Sequence, residues 1–412
     1  MNVKINSIIV GLLLASSSLG AQEQPTFGIR FSGFIRTDII LDSRQSSPAN
    51  GLREGHFYLF PDPVSYDADS IDVNATPSFH MLNIQSRLRG DISGPDAFGA
   101  KTSGTLEAEF FGTSEADLNG FRLRHAFVKM DWTRSTLIIG QNWHPMFPAE
   151  GFPGTVSFNT GAPFVPFSRN PQVNYSIRTG PLTTSLIAYS QRDFTSTGPE
   201  GPGNRYLRNS GLPGFNAQFK LALSPGSLIR LGGDFKRIRP ELRTSNNHLN
   251  PNVLNSLAAF ANLRVKTAPL TLNLMGTIAQ NATDLTMIGG YGVAQILDAE
   301  TGIRTFSNLN TASGWIDLTT NGKQFQAGLF AGFSKNLGST GELAGPLYGR
   351  GTTIDYLARL SPRIQVIRER LTLAAEVETT VANYGIPDSY GKITNAEPVT
   401  NIRLLVAVTY RF

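Results

Sequence analysis

From Phe27 to the C-terminal Phe412 the chain repeats one unit, about ten residues of alternating polarity followed by a turn or a loop rich in Gly, Pro, Asn and Asp. At the start, Phe27, Ile29, Phe31, Ile35, Ile39 and Leu41 share one parity, while Arg30, Ser32, Arg36 and Asp38 take the other. At the end, Ile402, Leu404, Val406, Val408, Tyr410 and Phe412 oppose Asn401, Arg403, Ala407, Thr409 and Arg411. A period of two puts such sets on opposite faces of a strand. The pattern predicts strands at 27–41, 79–93, 101–111, 121–132, 135–143, 172–180, 182–191, 214–224, 227–238, 256–267, 270–280, 308–319, 323–335, 353–366, 371–381 and 399–412, sixteen in all. Tight turns such as Gly94-Pro95-Asp96, Gly180-Pro181, Ser224-Pro225-Gly226 and Asn321-Gly322 alternate with long loops. A soluble sandwich also alternates, but strands of this length with Arg, Glu, Asn and Gln on the polar face point to an all-β, transmembrane antiparallel β-barrel. Its short turns, and with an even strand count both termini, are expected on the periplasmic side. Two places strain the pattern. Arg122 and Arg124 share a parity with Val128 and Met130, which calls for a bulge, and Pro362 should sit at a bulge or a strand end because it lacks a ladder donor.

The first residues read differently. Lys4, the apolar run from Ile8 to Ala15 and the small residues Ser16 to Ala21 form a secretory signal peptide, 1–21, leaving 22–412 as a single barrel domain. The apolar run is well short of the roughly 20 residues of a spanning helix. No later segment reaches about 18 apolar residues, so only a closed barrel could place the mature chain in a membrane. Composition narrows the field further. With no Cys among 412 residues, disulfide scaffolds and thiolate metal sites are excluded. The 36 Lys+Arg are spread thinly, without the patch that nucleic-acid binding needs.

The sequence carries no sign of an enzyme, a metal or a cofactor. His56, His80, His125, His144 and His248 are scattered, and no HExxH, GxSxG or GxxxxGK[ST] motif occurs. The prolines of Gly198 to Gly203 remove the N–H groups a phosphate cradle would use. The inward face is more informative. By parity it receives fourteen cations, Arg30, Arg36, Arg87, Arg89, Arg178, Lys220, Arg230, Lys236, Arg264, Lys266, Arg359, Arg363, Arg403 and Arg411, against eight anions, Asp38, Asp91, Glu107, Glu109, Asp234, Asp355, Glu376 and Glu378. Rings of Arg or Lys favour anions in a pore, although any one of these groups is expected to pair across the wall. The third long loop, Asn142 to Pro171, is too apolar to lie in solvent and is expected to fold inward against the barrel wall. The waist is therefore expected to be lined by Arg30, Arg36, Arg87, Arg89, Glu107, Glu109, Arg122, Arg124, Arg178, Arg359 and Arg403, and narrowed by Asn142, Trp143, His144, Phe147, Glu150, Phe164, Phe167 and Arg169 of the loop.

Sixteen strands, such a third loop and a last strand ending Thr409-Tyr410-Arg411-Phe412 resemble the trimeric porins of Gram-negative bacteria. Gly140-Gln141-Asn142-Trp143, Arg169-Asn170-Pro171-Gln172-Val173 and Arg122-Leu123-Arg124-His125-Ala126 resemble the DcaP-like porins, and Ser334-Lys335-Asn336-Leu337-Gly338 and Glu376-Val377-Glu378-Thr379 are similar to porin-type proteins of Bacteroidetes. One departure is that strand-forming sequence begins within about six residues of the predicted cleavage site, leaving no room for the N-terminal coiled coil of DcaP-like members. The resemblance implies a homotrimer in the cell outer membrane, in contact with outer-membrane lipid and lipopolysaccharide. It also implies that the barrel-assembly machinery reads the strand ending in Phe412, and that the channel passes small hydrophilic solutes, weighted to anions such as small organic acids. Two other readings stand beside it. One is an adhesin or docking platform acting through the long loops at 42–78, 192–213 and 281–307; the other is an outer-membrane hydrolase.

Overall fold

The computed structural model describes residues 27–48, 57–112, 117 and 119–412; the signal peptide 1–21 and His56 lie outside them. Alternating sequence becomes one closed antiparallel sheet of sixteen barrel strands. They are β1 Gly28–Asp42, β2 Ser78–Leu82 continued by Arg87–Ser93, β3 Lys101–Glu109, β4 Arg122–Asp131, β5 Ser135–Trp143, β6 Arg169–Thr179, β7 Leu182–Tyr189 and β8 Gly214–Ser224. The second half comprises β9 Ser227–Ile238, β10 Leu254–Lys266, β11 Leu270–Gln280, β12 Ile303–Thr320, β13 Phe325–Gly338, β14 Ile354–Arg368, β15 Leu371–Pro387 and β16 Ile393–Arg411. Each pairs with its neighbours in sequence. The ring closes where β1 pairs with β16, from Phe34↔Arg411 to Asp42↔Arg403. Closure leaves no edge strand, the condition for crossing hydrocarbon with strands.

The two faces differ as the alternation requires. Ile29, Phe31, Ile35, Leu404, Val406 and Val408 are exposed on the outside, whereas Asp42, Asn401 and Arg403 are fully buried within. An outer belt of this apolarity is suited to lipid and not to water.

The required bulge in β4 is present. The β3–β4 ladder steps from Glu107↔His125 to Ala108↔Leu123, so Arg124 is the extra residue. Arg124 and His125 are both buried, while Leu123 and Val128 are exposed outside. Pro362 corrects its expectation. It pairs with Leu329 in mid-strand, and the β14–β15 ladder skips from Leu360↔Thr379 to Arg363↔Glu376 without changing register. The missing donor is absorbed by a local gap in pairing. Asp355 is also corrected: the β14–β15 register shifts between Ile354 and Leu357, which turns Asp355 outward, where it pairs with Lys335 at 2.5 Å. The segment 281–307, read as a loop, contains a further strand, Gly289–Asp298, which pairs with the start of β12 and with Leu347–Arg350 beyond the barrel rim.

The apolar core lies inside the barrel. Phe57, Phe147, Phe158, Phe167, Phe194 and Ile288 come from four separate loops and pack together with the inward wall residues Phe260, Met275, Trp315, Phe330 and Leu357. Ring pairs knit the segments to one another, for example Phe57–Phe167 at 5.0 Å and Phe57–Phe194 at 5.4 Å between centroids. Packed aromatic pairs of this kind add about 0.5–1.5 kcal/mol each beyond area burial. The long-loop half of the lumen is thus occupied by loops, and the short-turn half carries the accessible polar surface.

Candidate functional site

The third loop, 144–168, fastens to strands all round the wall. At its root, Arg230 of β9 donates to the carbonyls of Pro145, Met146 and Phe147 at 3.0–3.3 Å, with its guanidinium 4.9 Å from the Phe260 ring. Glu150 pairs with Lys220 of β8 at 2.6 Å, and its carbonyl accepts from Arg264 of β10 at 2.8 Å. Farther along, Gly154 N–H donates to Asp317 of β12. The N–H groups of Val156 and Ser157 donate to the Glu376 carboxylate of β15 at 2.7 and 3.1 Å, and Arg36 of β1 donates to the Val156 carbonyl at 2.5 Å. Asn159 donates to Glu378, and Arg359 of β14 donates to the Ala162 carbonyl at 2.7 Å. A segment bonded to β1, β8, β9, β10, β12, β14 and β15 crosses the lumen. Gly332 of β13 provides space for it, because a Cβ there would fall 2.5 Å from the Phe164 ring.

Three charged clusters frame the loop. In the first, the buried Glu109 carboxylate meets Arg87 at 3.1 Å, Arg122 at 2.7 Å, Arg124 at 2.5 Å and Arg169 at 3.7 Å. Glu107 binds Arg124 at 2.8 Å, and Asp193 binds Arg169 at 2.7 Å. Four arginines therefore share three carboxylates, a surplus of one positive charge. Arg89 sits beside them with Asp91 at 2.7 Å. Trp143 is stacked on Phe147 at 4.0 Å and lies under Arg124 and Arg169 at 5.6 and 5.3 Å. In the second cluster, Arg403 grips Asp42 through two hydrogen bonds of 2.9 and 2.8 Å. The Tyr58 ring lies 4.3 Å from Arg403 and 5.0 Å from Arg359, and Arg359 donates to the Leu59 carbonyl at 2.6 Å. In the third, Arg363 chelates Asp317 at 2.7 and 3.0 Å.

The remaining predicted residues fall into two groups. Asn142 accepts from the N–H of Trp143, and His144 is buried edge-on to Tyr189 at 4.5 Å, accepting from the N–H of Met146. Phe164 packs on Phe330 and Phe167 on Trp143. Arg30 and Arg178 instead lie exposed near the short-turn ends of β1 and β6, away from the folded loop. Of the fourteen inward cations, eight hold carboxylates. Besides those already named, Arg36 pairs with Asp38, Lys236 with Asp284 and Arg359 with Glu378 at 3.4 Å.

Sequence reasoning missed Tyr58 and its neighbours, Asp193, Asp284 and Asp317. All are loop or wall residues whose role depends on long-range contact. The signal for the first was present in the apolar run Phe57-Tyr58-Leu59-Phe60 within a loop.

No family model matches the chain, and no curated protein matches it. Solved structures do. The outer membrane channel DcaP of Acinetobacter baumannii is 14% identical with a TM-score of 0.69, covering 96% of this chain and 100% of that one. An anion-selective porin from Comamonas acidovorans is 10% identical with a TM-score of 0.55, covering 94% and 100%. The trimer form of OmpT of Vibrio cholerae is 9% identical with a TM-score of 0.53, covering 95% and 100%. Likeness at these identities concerns the fold: the chain has the closed sixteen-strand barrel of outer-membrane porins.

Proposed function

We propose that this chain is an outer-membrane porin that lets small hydrophilic solutes diffuse passively, weighted to anions, and catalyses no reaction. One observation carries the anion bias. Among the described residues, Arg30, Arg178, Arg264, Lys266 and Arg411 form no direct ion pair with a carboxylate, although Arg30 stands across the β1–β2 ladder from Asp91, and all except half-buried Arg264 are exposed. Half-buried Asp91 and Asp131 of the wall and exposed Glu150 of the third loop are each held by a cation, Arg89, Lys129 and Lys220, while Asp96 and Glu369 stand exposed in the tight turns below the wall. Unpaired positive charge on a lumen wall favours anion entry. The four arginines at the root of the loop add one net positive charge to this bias, since Glu107, Glu109 and Asp193 match the other three.

In this reading the mature chain lies in the outer membrane of a Gram-negative cell after removal of residues 1–21, with the long loops outside. The last strand, ending in Phe412, serves the barrel-assembly machinery, and the trimer form of the OmpT neighbour supports a homotrimer. A docking role for the loops has less to stand on, because their apolar segments 57–60, 194 and 282–288 are buried in the lumen. The test is the triple variant Arg30→Gln, Arg178→Gln and Lys266→Gln. Its reversal potential in a KCl gradient should move toward zero while conductance persists. An unchanged potential would remove these residues from the selectivity mechanism.

A further inference from the structure

Besides the third loop, a second long segment folds into the lumen. Between β11 and β12 the chain turns inward at the loop-side rim, and every residue from Asn281 to Val293 is buried. A short 3-10 turn, Ala282–Leu285, and the residues after it place Ala282, Leu285, Met287 and Ile288 in the lumenal core. There the N–H of Phe167 in the third loop donates to the Leu285 carbonyl at 2.9 Å. Beyond this point the chain is anchored. Gly289 to Gly292 pair with Leu347–Arg350, so closely that a Cβ on Gly290 would lie 2.1 Å from the Tyr348 carbonyl oxygen.

Residues 281–288 are fastened differently from the third loop, which bonds to strands all round the wall. Lys236 of β9 forms an ion pair with Asp284 and donates to the Asn281 carbonyl. Thr311 of β12 donates to the Ile288 carbonyl at 3.1 Å, and Gln191, in the loop after β7, donates to the other Asp284 oxygen at 2.8 Å. Asp284 is the only charged residue from Asn281 to Gly292, so one buried ion pair carries the whole electrostatic attachment. The backbone it holds is strained. Asn281 at φ 48° and Thr286 at φ 60° are left-handed, and a β-branched residue adopts that conformation only where its surroundings impose it. Asn281, Thr283, Asp284 and Thr286 are also polar, so half of the eight side chains gain hydration on leaving the lumen.

We propose that residues 281–288 are a gate, closed in this structure, which swings from the lumen toward the loop side when Lys236 and Asp284 part. Asn281 and Gly289 are its pivots: Asn281 sheds its strain on opening, and Gly289, at φ 123°, has the backbone freedom of a hinge. Strain and hydration favour departure while the ion pair and the apolar contacts oppose it, the balance that an element with two positions requires. Opening also releases Phe167, the far end of the third loop, from its bond to Leu285. The proposal rests on the porin reading, since it supplies a way for solute to pass the loop-filled half of the lumen.

The chain has no native Cys, so a single introduced thiol reports the movement. Leu285→Cys in the gate and Phe330→Cys in the wall behind the same core replace residues of 4% and 0% exposure. In refolded barrels given a charged, membrane-impermeant thiol reagent, the gate thiol should react at least about tenfold faster than the wall thiol, because local opening is easier than parting the sheet. Adding Asp284→Asn or Lys236→Gln to Leu285→Cys should each speed the reaction about a further tenfold, and equally, since either breaks the same pair. Gln191→Ala loosens Asp284 without stranding a buried charge; it should act in the same direction, and it carries the test if the other two variants do not fold. Equal rates for the two thiols, or a gate thiol indifferent to Asp284 and Gln191, would overturn the gate. A silent bilayer with the labelling contrast intact would remove the porin reading and leave the movement established.

Discussion

Glu109 is the residue whose neighbours do most to define the waist. Four guanidinium groups converge on a carboxylate with no solvent exposure, and their mutual repulsion is tolerable only while its charge remains. Glu109→Gln should therefore lower barrel stability by about 3–5 kcal/mol, the usual cost of removing one side of a buried ion pair. In channels that do fold, the surplus at the waist rises from one positive charge to two, and the reversal potential should shift further toward anions. Arg403 and Asp42 form a simpler case. Arg403→Ala strands a buried carboxylate and should cost a similar amount, whereas Asp42→Leu with Arg403→Met should recover most of the loss. Urea unfolding of the refolded barrel in detergent checks both. Recovery by the double variant is the decisive sign, because a pair that only contributes packing would lose more when both members are replaced.

At the scale of elements, the third loop is a strap and not a free lid. Its carbonyls are taken by Arg36, Arg230, Arg264 and Arg359, and its amides by Asp317 and Glu376. Gly332→Ala would press a methyl group into the Phe164 ring and should lift the strap locally, appearing as increased open-channel current noise with the barrel intact. Quiet traces from this variant would show that Phe164 moves aside without disturbing the strap. The sixteen strands were legible because period-two alternation is a local property, and Arg122, Arg124 and Val128 even announced the bulge of β4. The direction of the third loop was legible from its aromatic residues, which have nowhere to go but the lumen. What was not legible was pairing. Parity places Arg87 and Glu109 on one face but cannot say that Asp193 and Asp317 arrive to neutralise their neighbours, since those contacts join residues far apart in sequence. For the same reason Asp355 was misplaced: the register shift that turns it outward has no signature in the alternation.

For the whole molecule, the barrel is divided by height. The long-loop half holds an apolar core that in a soluble protein would sit between layers, and the short-turn half holds the unpaired charge. Loop segments that look suited to a surface role are instead the barrel's filling, so shortening 57–60 should weaken the strap through Arg359 as well as enlarge the passage. The central claim is that a conducting, anion-weighted path passes this strap. Single-channel recording of the refolded chain in a planar bilayer, with reversal potentials in a KCl gradient, tests it directly. The account predicts discrete conductance steps with an anion-selective reversal potential; a silent bilayer from protein with full β-sheet circular dichroism would contradict it.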